Sequence, residues 1–112
     1  MSLTKQRDTL IRSNVPYREY NVDVHLTHYS TNGRYALFLV DHETFEPVAV
    51  ATVNIPDKYI TDNEVIVKNY SENEGMLQFL INQQIIDGGK CISFSNGYVM
   101  LYICDLLPFN SQ

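Results

Sequence analysis

The run Tyr20–Tyr29, YNVDVHLTHY, alternates apolar with polar as far as Thr27. Val22, Val24 and Leu26 fall on one side, and Asn21, Asp23, His25 and Thr27 on the other. A period of two is a strand signal, with one buried and one wet face. Asn32-Gly33 follows, a pair that accepts positive φ at both corners of a two-residue hairpin turn. Residues 34–40, RYALFLV, and 48–55, VAVATVNI, are apolar on both faces and are expected to be central strands. EVIVK, 64–68, is a shorter fourth strand of the same meander. CISFS, 91–95, and YVMLYIC, 98–104, flank Asn96-Gly97 and predict a C-terminal hairpin, its turn made by the Asn-Gly pair with positive φ at both residues.

Between the meander and the hairpin the period changes. Met76, Leu77, Leu80, Ile81 and Ile85 make one apolar stripe at helical spacing, and predict an amphipathic helix over 72–86. Ser71-Glu72-Asn73-Glu74 matches the capping box Ser-x-x-Glu, and Asp87-Gly88-Gly89 supplies glycines to stop the helix. Gly75 opposes the cap, since glycine inside a helix costs about 1 kcal/mol relative to alanine. The expectation is that a neighbouring backbone passes close to it, so that alanine would clash, with a protein partner seated on the bare backbone as the alternative. A phosphate cradle is rejected, because Glu72 and Glu74 already occupy the positive end of the helix. Residues 3–13 are expected to form a short helix, with Leu3, Leu10 and Ile11 on one face, ended by Asn14-Val15-Pro16. A flexible arm over 1–16 is the alternative.

These elements describe an α+β fold. An antiparallel meander of about four strands leads to one helix and then a β-hairpin, all within a single domain, 1–112. One helix cannot cover both faces of so many strands. The N-terminal segment, a curled sheet or a second subunit must cover the rest.

Charge narrows the function classes. Residues 1–34 carry a net +2, and residues 35–112 carry three lysines against ten acids, a net −7. An acidic body repels phosphates, so no nucleic-acid partner is expected. No run approaches the roughly 18 apolar residues of a membrane span, and no charged-then-apolar leader opens the sequence. A cytoplasmic setting without membrane contact is therefore expected. Cys91 and Cys104 have no zinc spacing and read as two reduced core thiols, with a disulfide across adjacent strands as the alternative.

No cofactor or metal is expected. His25 and His28, three apart on a strand, face opposite ways, and His42 sits in a polar turn beside Asp41 and Glu43. No Gly-x-Ser-x-Gly, His-Glu-x-x-His or Walker pattern occurs. An enzyme would need a site assembled only in three dimensions, from His25, His42, Asp41 or Cys104, and a catalytic role is not favoured. Eight tyrosines and no tryptophan point instead to protein contact, where an apolar ring with a polar tip is useful. The binding candidates are Tyr29, Tyr98 and Tyr102 on strands and Phe79 on the far side of the helix, where Ile86 also falls. They would serve a protein partner or a homodimer; ordinary core filling is the competing explanation.

The ordered pieces NGRYALFLVD, EPVAVATVNIPD and VIVKNYSENEGML resemble a family of small uncharacterised proteins of phages, plasmids and integrative elements, mainly of Gram-positive bacteria. The likeness spans roughly residues 32–104, and its most specific parts are TVNIP and SENEG. It implies a mobile-element origin and a cytoplasmic setting, and names no catalytic residue. The expected function is thus a small non-enzymatic interaction module of a mobile genetic element, with counter-defence as one version.

Overall fold

In the computed structural model, which describes residues 8–108, the chain builds two antiparallel sheets around one helix. The first has the order β1 (Thr9–Tyr17), β2 (Tyr20–His28), β3 (Tyr35–Asp41), β4 (Pro47–Val50). The second has the order β5 (Glu64–Lys68), β7 (Val99–Asp105), β6 (Ile92–Asn96). The helix α1 (Met76–Asn82) lies between β5 and β6 in sequence. No helix among the described residues is long and apolar enough to cross a membrane.

The α+β class, the four-stranded meander and the C-terminal hairpin are as expected, but the meander's membership differs. Residues 64–68 belong to the second sheet, and its place in the first is taken by β1. The expected helix over 3–13 is therefore corrected for residues 9–13, which are strand; residues 1–7 lie outside the described part. The reason is local. The register of β1 on β2 slips twice, between Leu10 and Arg12 and between Arg12 and Val15, and Asn14 takes φ 57°. Such bulges erase the period-two pattern that marks a strand. Pro16 is tolerated because β1 is an edge strand.

The sheets are joined at a corner after β4. The Ala51 N–H donates to Leu37 O, the Ala51 carbonyl accepts from the Lys68 N–H, and the Val53 N–H donates to Ile66 O. The chain thus leaves β3 and pairs with β5 within three residues, so the sheet curls over its own core. Thr52 Oγ1 accepts from the Leu37 N–H, and Asn73, fully buried, donates to Val50 O at 2.7 Å. The enclosed core brings Val22, Val24 and Leu39 of the first sheet against Val65 and Val67 of the second, with Met76 and Leu80 of α1. The alternation of β2 makes this possible by turning Val22, Val24 and Leu26 inward, all buried; its other face is not the wet one expected, since Asp23 and Thr27 are buried there too. A smaller cluster, Ile60, Ile66, Leu101 and Ile103, fills the opposite face of the second sheet.

The helix is shorter than 72–86. Ser71–Asn73 is a single 3-10 turn, Ser71 has φ 54°, and the capping box does not form. Asn69 Oδ1 instead accepts from the Leu77 N–H at 2.7 Å and satisfies one of the helix's orphan donors. Gly75 is the residue before the helix, at φ 93°, and a Cβ there would meet nothing within 4 Å. The packing explanation of Gly75 is thereby overturned; the glycine is required by its backbone angle. At the other end Gln84, at φ 59°, does what a glycine normally does. Its N–H donates to Ile81 O, and the Ile85 N–H donates to Leu80 O, the two bonds of a Schellman motif. Arg12 places Nε and Nη2 on Gln83 O at 3.0 and 2.7 Å, a cation at the negative end of the helix.

Both Asn-Gly turns also differ from expectation. Gly33 has φ 75° but Asn32 does not share it, and the loop is closed by Tyr29 N–H to Arg34 O and Gly33 N–H to Tyr29 O, a longer turn than two residues. At the second site Asn96 pairs with Val99, so the two turn residues are Gly97 and Tyr98, with only Gly97 positive, at φ 68°. A glycine at the first turn position is the type II′ signature.

Two substitutions of opposite sign follow from these angles. Gly75→Ala should destabilise by about 1–2 kcal/mol, the cost of a left-handed conformation with a Cβ, and Gly75→Asn by less. Gln84→Gly should stabilise by up to about 1 kcal/mol. Urea unfolding monitored by circular dichroism measures each; a neutral Gly75→Ala would remove the backbone explanation.

Candidate functional site

The outer face of the first sheet carries the odd positions of β2. Asp23, His25 and Thr27 stand there opposite Val40, Phe38 and Ala36 of β3. His42 follows β3 directly, and its backbone N–H donates to Asn21 O, which fixes the ring over β2. His42 Nδ1 lies 2.9 Å from Asp23 Oδ1, and the same oxygen accepts from the Asn14 N–H at 2.9 Å and from Ser13 Oγ at 3.3 Å. His42, expected in a solvated turn, is thus tied to a buried carboxylate. Burial by itself would raise the Asp23 carboxyl. The bonds from His42, Asn14 and Ser13 together with the His42 charge outweigh it, and hold Asp23 below the usual carboxylate range. These bonds bind the bulge in β1 to the turn after β3. A cleft of about 290 Å³ opens beside the pair, lined by Glu19, Tyr20, Asp41 and Glu43 among others.

The other catalytic candidates are not gathered around it. Asp41 Oδ1 accepts from the Thr44 and Glu43 N–H groups; these bonds lower its carboxyl and close the turn. His25 stacks on Phe38, with ring centroids 5.1 Å apart. Cys104 is fully buried and forms a disulfide with Cys91, which corrects the expectation of two free thiols. The register explains the bond: continuing β6 on β7 by one step beyond Ile92–Ile103 places Cys91 directly opposite Cys104, with Cα atoms 4.3 Å apart. Among the described residues no group of three His, Cys, Asp or Glu is placed to hold a metal ion.

The four binding candidates are scattered. Phe79, on the far side of the helical stripe, is buried against Tyr17, ring edge to ring face at 5.0 Å, and Ile86 is buried as well. These two are core residues, because the helix is covered on that side by β1 and its own C-terminal segment returns to pair Ile86 with Leu106. Tyr29 is half-buried; its hydroxyl lies 3.0 Å from Thr52 Oγ1, and burial raises its pKa. It forms one wall of an apolar groove of about 330 Å³ on the outer sheet face, with Thr27, Ala36, Phe38 and Val50. Tyr102 packs beside the main core. Tyr98 alone is wholly exposed, at the tip of the β6–β7 hairpin.

That hairpin holds what the sequence reading missed. Ile92 is 65 % and Met100 46 % exposed. The residues from Cys91 to Cys104 include no charged side chain. β6 pairs only with β7, and no other described backbone group bonds to it. An uncharged, open edge strand is a template for another strand unless a lysine, proline or bulge blocks it, and β6 has none of these. The signal was present in the composition of 91–104, but an edge is a property of strand order, which the sequence did not reveal.

The Asp23 network predicts a pH dependence. A carboxyl whose folded pKa is depressed contributes stability that is present above its unfolded value, near 4, and is lost as pH falls through the folded value. Asp23→Ala should therefore cost about 1–3 kcal/mol at neutral pH, where it strands the Asn14 N–H. The gap between variant and parent should narrow below about pH 4. Denaturant titrations across pH check this; a gap independent of pH would show that the carboxylate charge plays no part. Comparison with family models, with curated proteins and with solved structures finds no match to this chain.

Proposed function

We propose that this chain is a small non-enzymatic protein-interaction module of a mobile genetic element, a phage, plasmid or integrative element, acting in the cytoplasm on a protein partner. One observation carries the interaction part: the β6–β7 hairpin offers an open, uncharged edge with Ile92, Tyr98 and Met100 exposed beside it. Apolar side chains next to unpaired backbone groups favour strand addition, in which main-chain bonds supply affinity and side chains specificity. The net charge of −5 supports a protein rather than a nucleic-acid partner. The mobile-element part rests on the resemblance carried by TVNIP and SENEG, and counter-defence is the version of it that suits an acidic protein. The disulfide weighs against the cytoplasmic part, because cytosolic thiols are kept reduced; there Cys91 and Cys104 would stand as two apposed thiols. An enzymatic reading has one observation in its favour, the imidazole of His42 oriented by buried Asp23.

The readings separate by which surface a biological activity needs. A tagged chain passed through a bacterial host extract should retain a protein that the Ile92→Ser, Met100→Ser double variant loses at least tenfold, with His42→Gln retaining it in full. If the parent retains nothing specific, or the double variant retains the same protein, the hairpin is not the contact surface.

A further inference from the structure

The backbone geometry of β6 identifies which groups are free, and they form a self-complementary set. The hairpin loop is two residues long, so its closing pair, Asn96–Val99, exchanges hydrogen bonds. Bonded and non-bonded pairs then alternate along an antiparallel ladder. Phe94–Leu101 and Ile92–Ile103 are bonded pairs, and Ser95–Met100 and Ser93–Tyr102 are not. Cys91–Cys104, the next non-bonded pair by this count, has its Cα atoms 4.3 Å apart, as such a pair requires. The N–H and C=O groups of Ser93 and Ser95 therefore point away from β7, into the open edge.

We infer that a second copy of this chain occupies that edge, with β6 pairing antiparallel to its own counterpart about a two-fold axis at Phe94. The inference rests on the hairpin being an interaction surface and names its occupant. With the axis at Phe94, Ser93 of one copy faces Ser95 of the other, and both are outward-facing residues. The two Ser93–Ser95 pairs exchange hydrogen bonds, and Phe94 meets its counterpart at a non-bonded pair, where side chains come closest. Placing the axis on Ser93 or Ser95 would also match the bonding pattern, but would bring no aromatic pair together at the centre. Ile92, exposed in one copy, then lies diagonally beside Phe94 of the other.

Charge opposes this occupant only weakly along β6. Each chain carries a net −5, yet the segment Cys91–Cys104 is uncharged, so two acidic molecules meet along a strand that carries no acid. Lys58 Nζ sits 4.4 Å from the centre of the Phe94 ring, and the two lysines approach each other across the axis. Pairing of the two copies should consequently strengthen with added salt, which screens both the lysines and the net charge. Two short strands make a small interface, and the dimer is of the weak class.

Analytical ultracentrifugation from micromolar to millimolar concentration tests the pairing. The parent should shift from monomer to dimer, and more so in high salt. Hydrogen exchange at the Ser93 and Ser95 amides should slow as concentration rises, with Phe94 unchanged. Ser93→Pro removes one outward N–H and no bond to β7, a position an edge strand tolerates. It should be monomeric throughout with an unaltered melting temperature, and Ser95→Lys, which charges the edge, should behave likewise. A parent that stays monomeric at every concentration, or a dimer that Ser93→Pro and Ser95→Lys leave intact, overturns the proposal. Retention of a different host protein at the hairpin would then stand on its own, since the extract experiment reads loss at Ile92 and Met100.

Discussion

Ala51 bonds through its own backbone to β3 on one side and to β5 on the other, and the rest of the fold is arranged around that double membership. Its N–H donates to Leu37 O, its carbonyl accepts from the Lys68 N–H, and it is completely buried. Its neighbours carry the polar groups that such a sharp transfer leaves unpaired. Thr52 serves the Leu37 N–H and meets the Tyr29 hydroxyl, while Asn73 reaches in from the 3-10 turn to Val50 O. A buried carbonyl without a partner is worth about 1–3 kcal/mol of destabilisation. The segment SENEG is thus tied to the corner through Asn73, and its distorted start to the helix is the geometry that delivers this side chain.

Elements with an unbroken period were legible from the residues alone. β2, β3 and β5 fall within one or two residues of their expected limits, and the hairpin at 91–104 is in place. What failed did so where a backbone angle departs from what the residue type advertises. Asn14, Ser71 and Gln84 all take positive φ without being glycine. The first belongs to the broken register that hid β1; the second sits in the 3-10 turn where the capping box was expected; the third ends the helix four residues before the first of the glycines that seemed to end it. In each case a tertiary contact holds the unusual angle: Asp23 on the Asn14 N–H, Asn73 on the corner, Arg12 on Gln83 O.

The candidate site was less legible, for a different reason. Tyrosine abundance does not by itself tell an exposed ring from a packed one. Phe79 and Tyr102 are packed in or against the core, and Tyr29 is anchored to Thr52. Whether an aromatic ring is core or contact depends on what lies opposite it, and β1, the element that covers Phe79, was the one strand not anticipated. Tyr98 is exposed because a residue in a two-residue turn is exposed whatever the rest of the fold does.

The disulfide has a mechanical meaning for the strand that follows it. Cys91 precedes the first residue of β6, and the Gly97 turn follows the last, so the strand is clamped to β7 covalently at one end and by its reversal at the other. With the disulfide formed, a strand held so is kept from fraying, and its outward groups keep a fixed spacing and direction. Whatever aligns with it meets a ruler rather than a rope, and loses little to the ordering of this side of the contact.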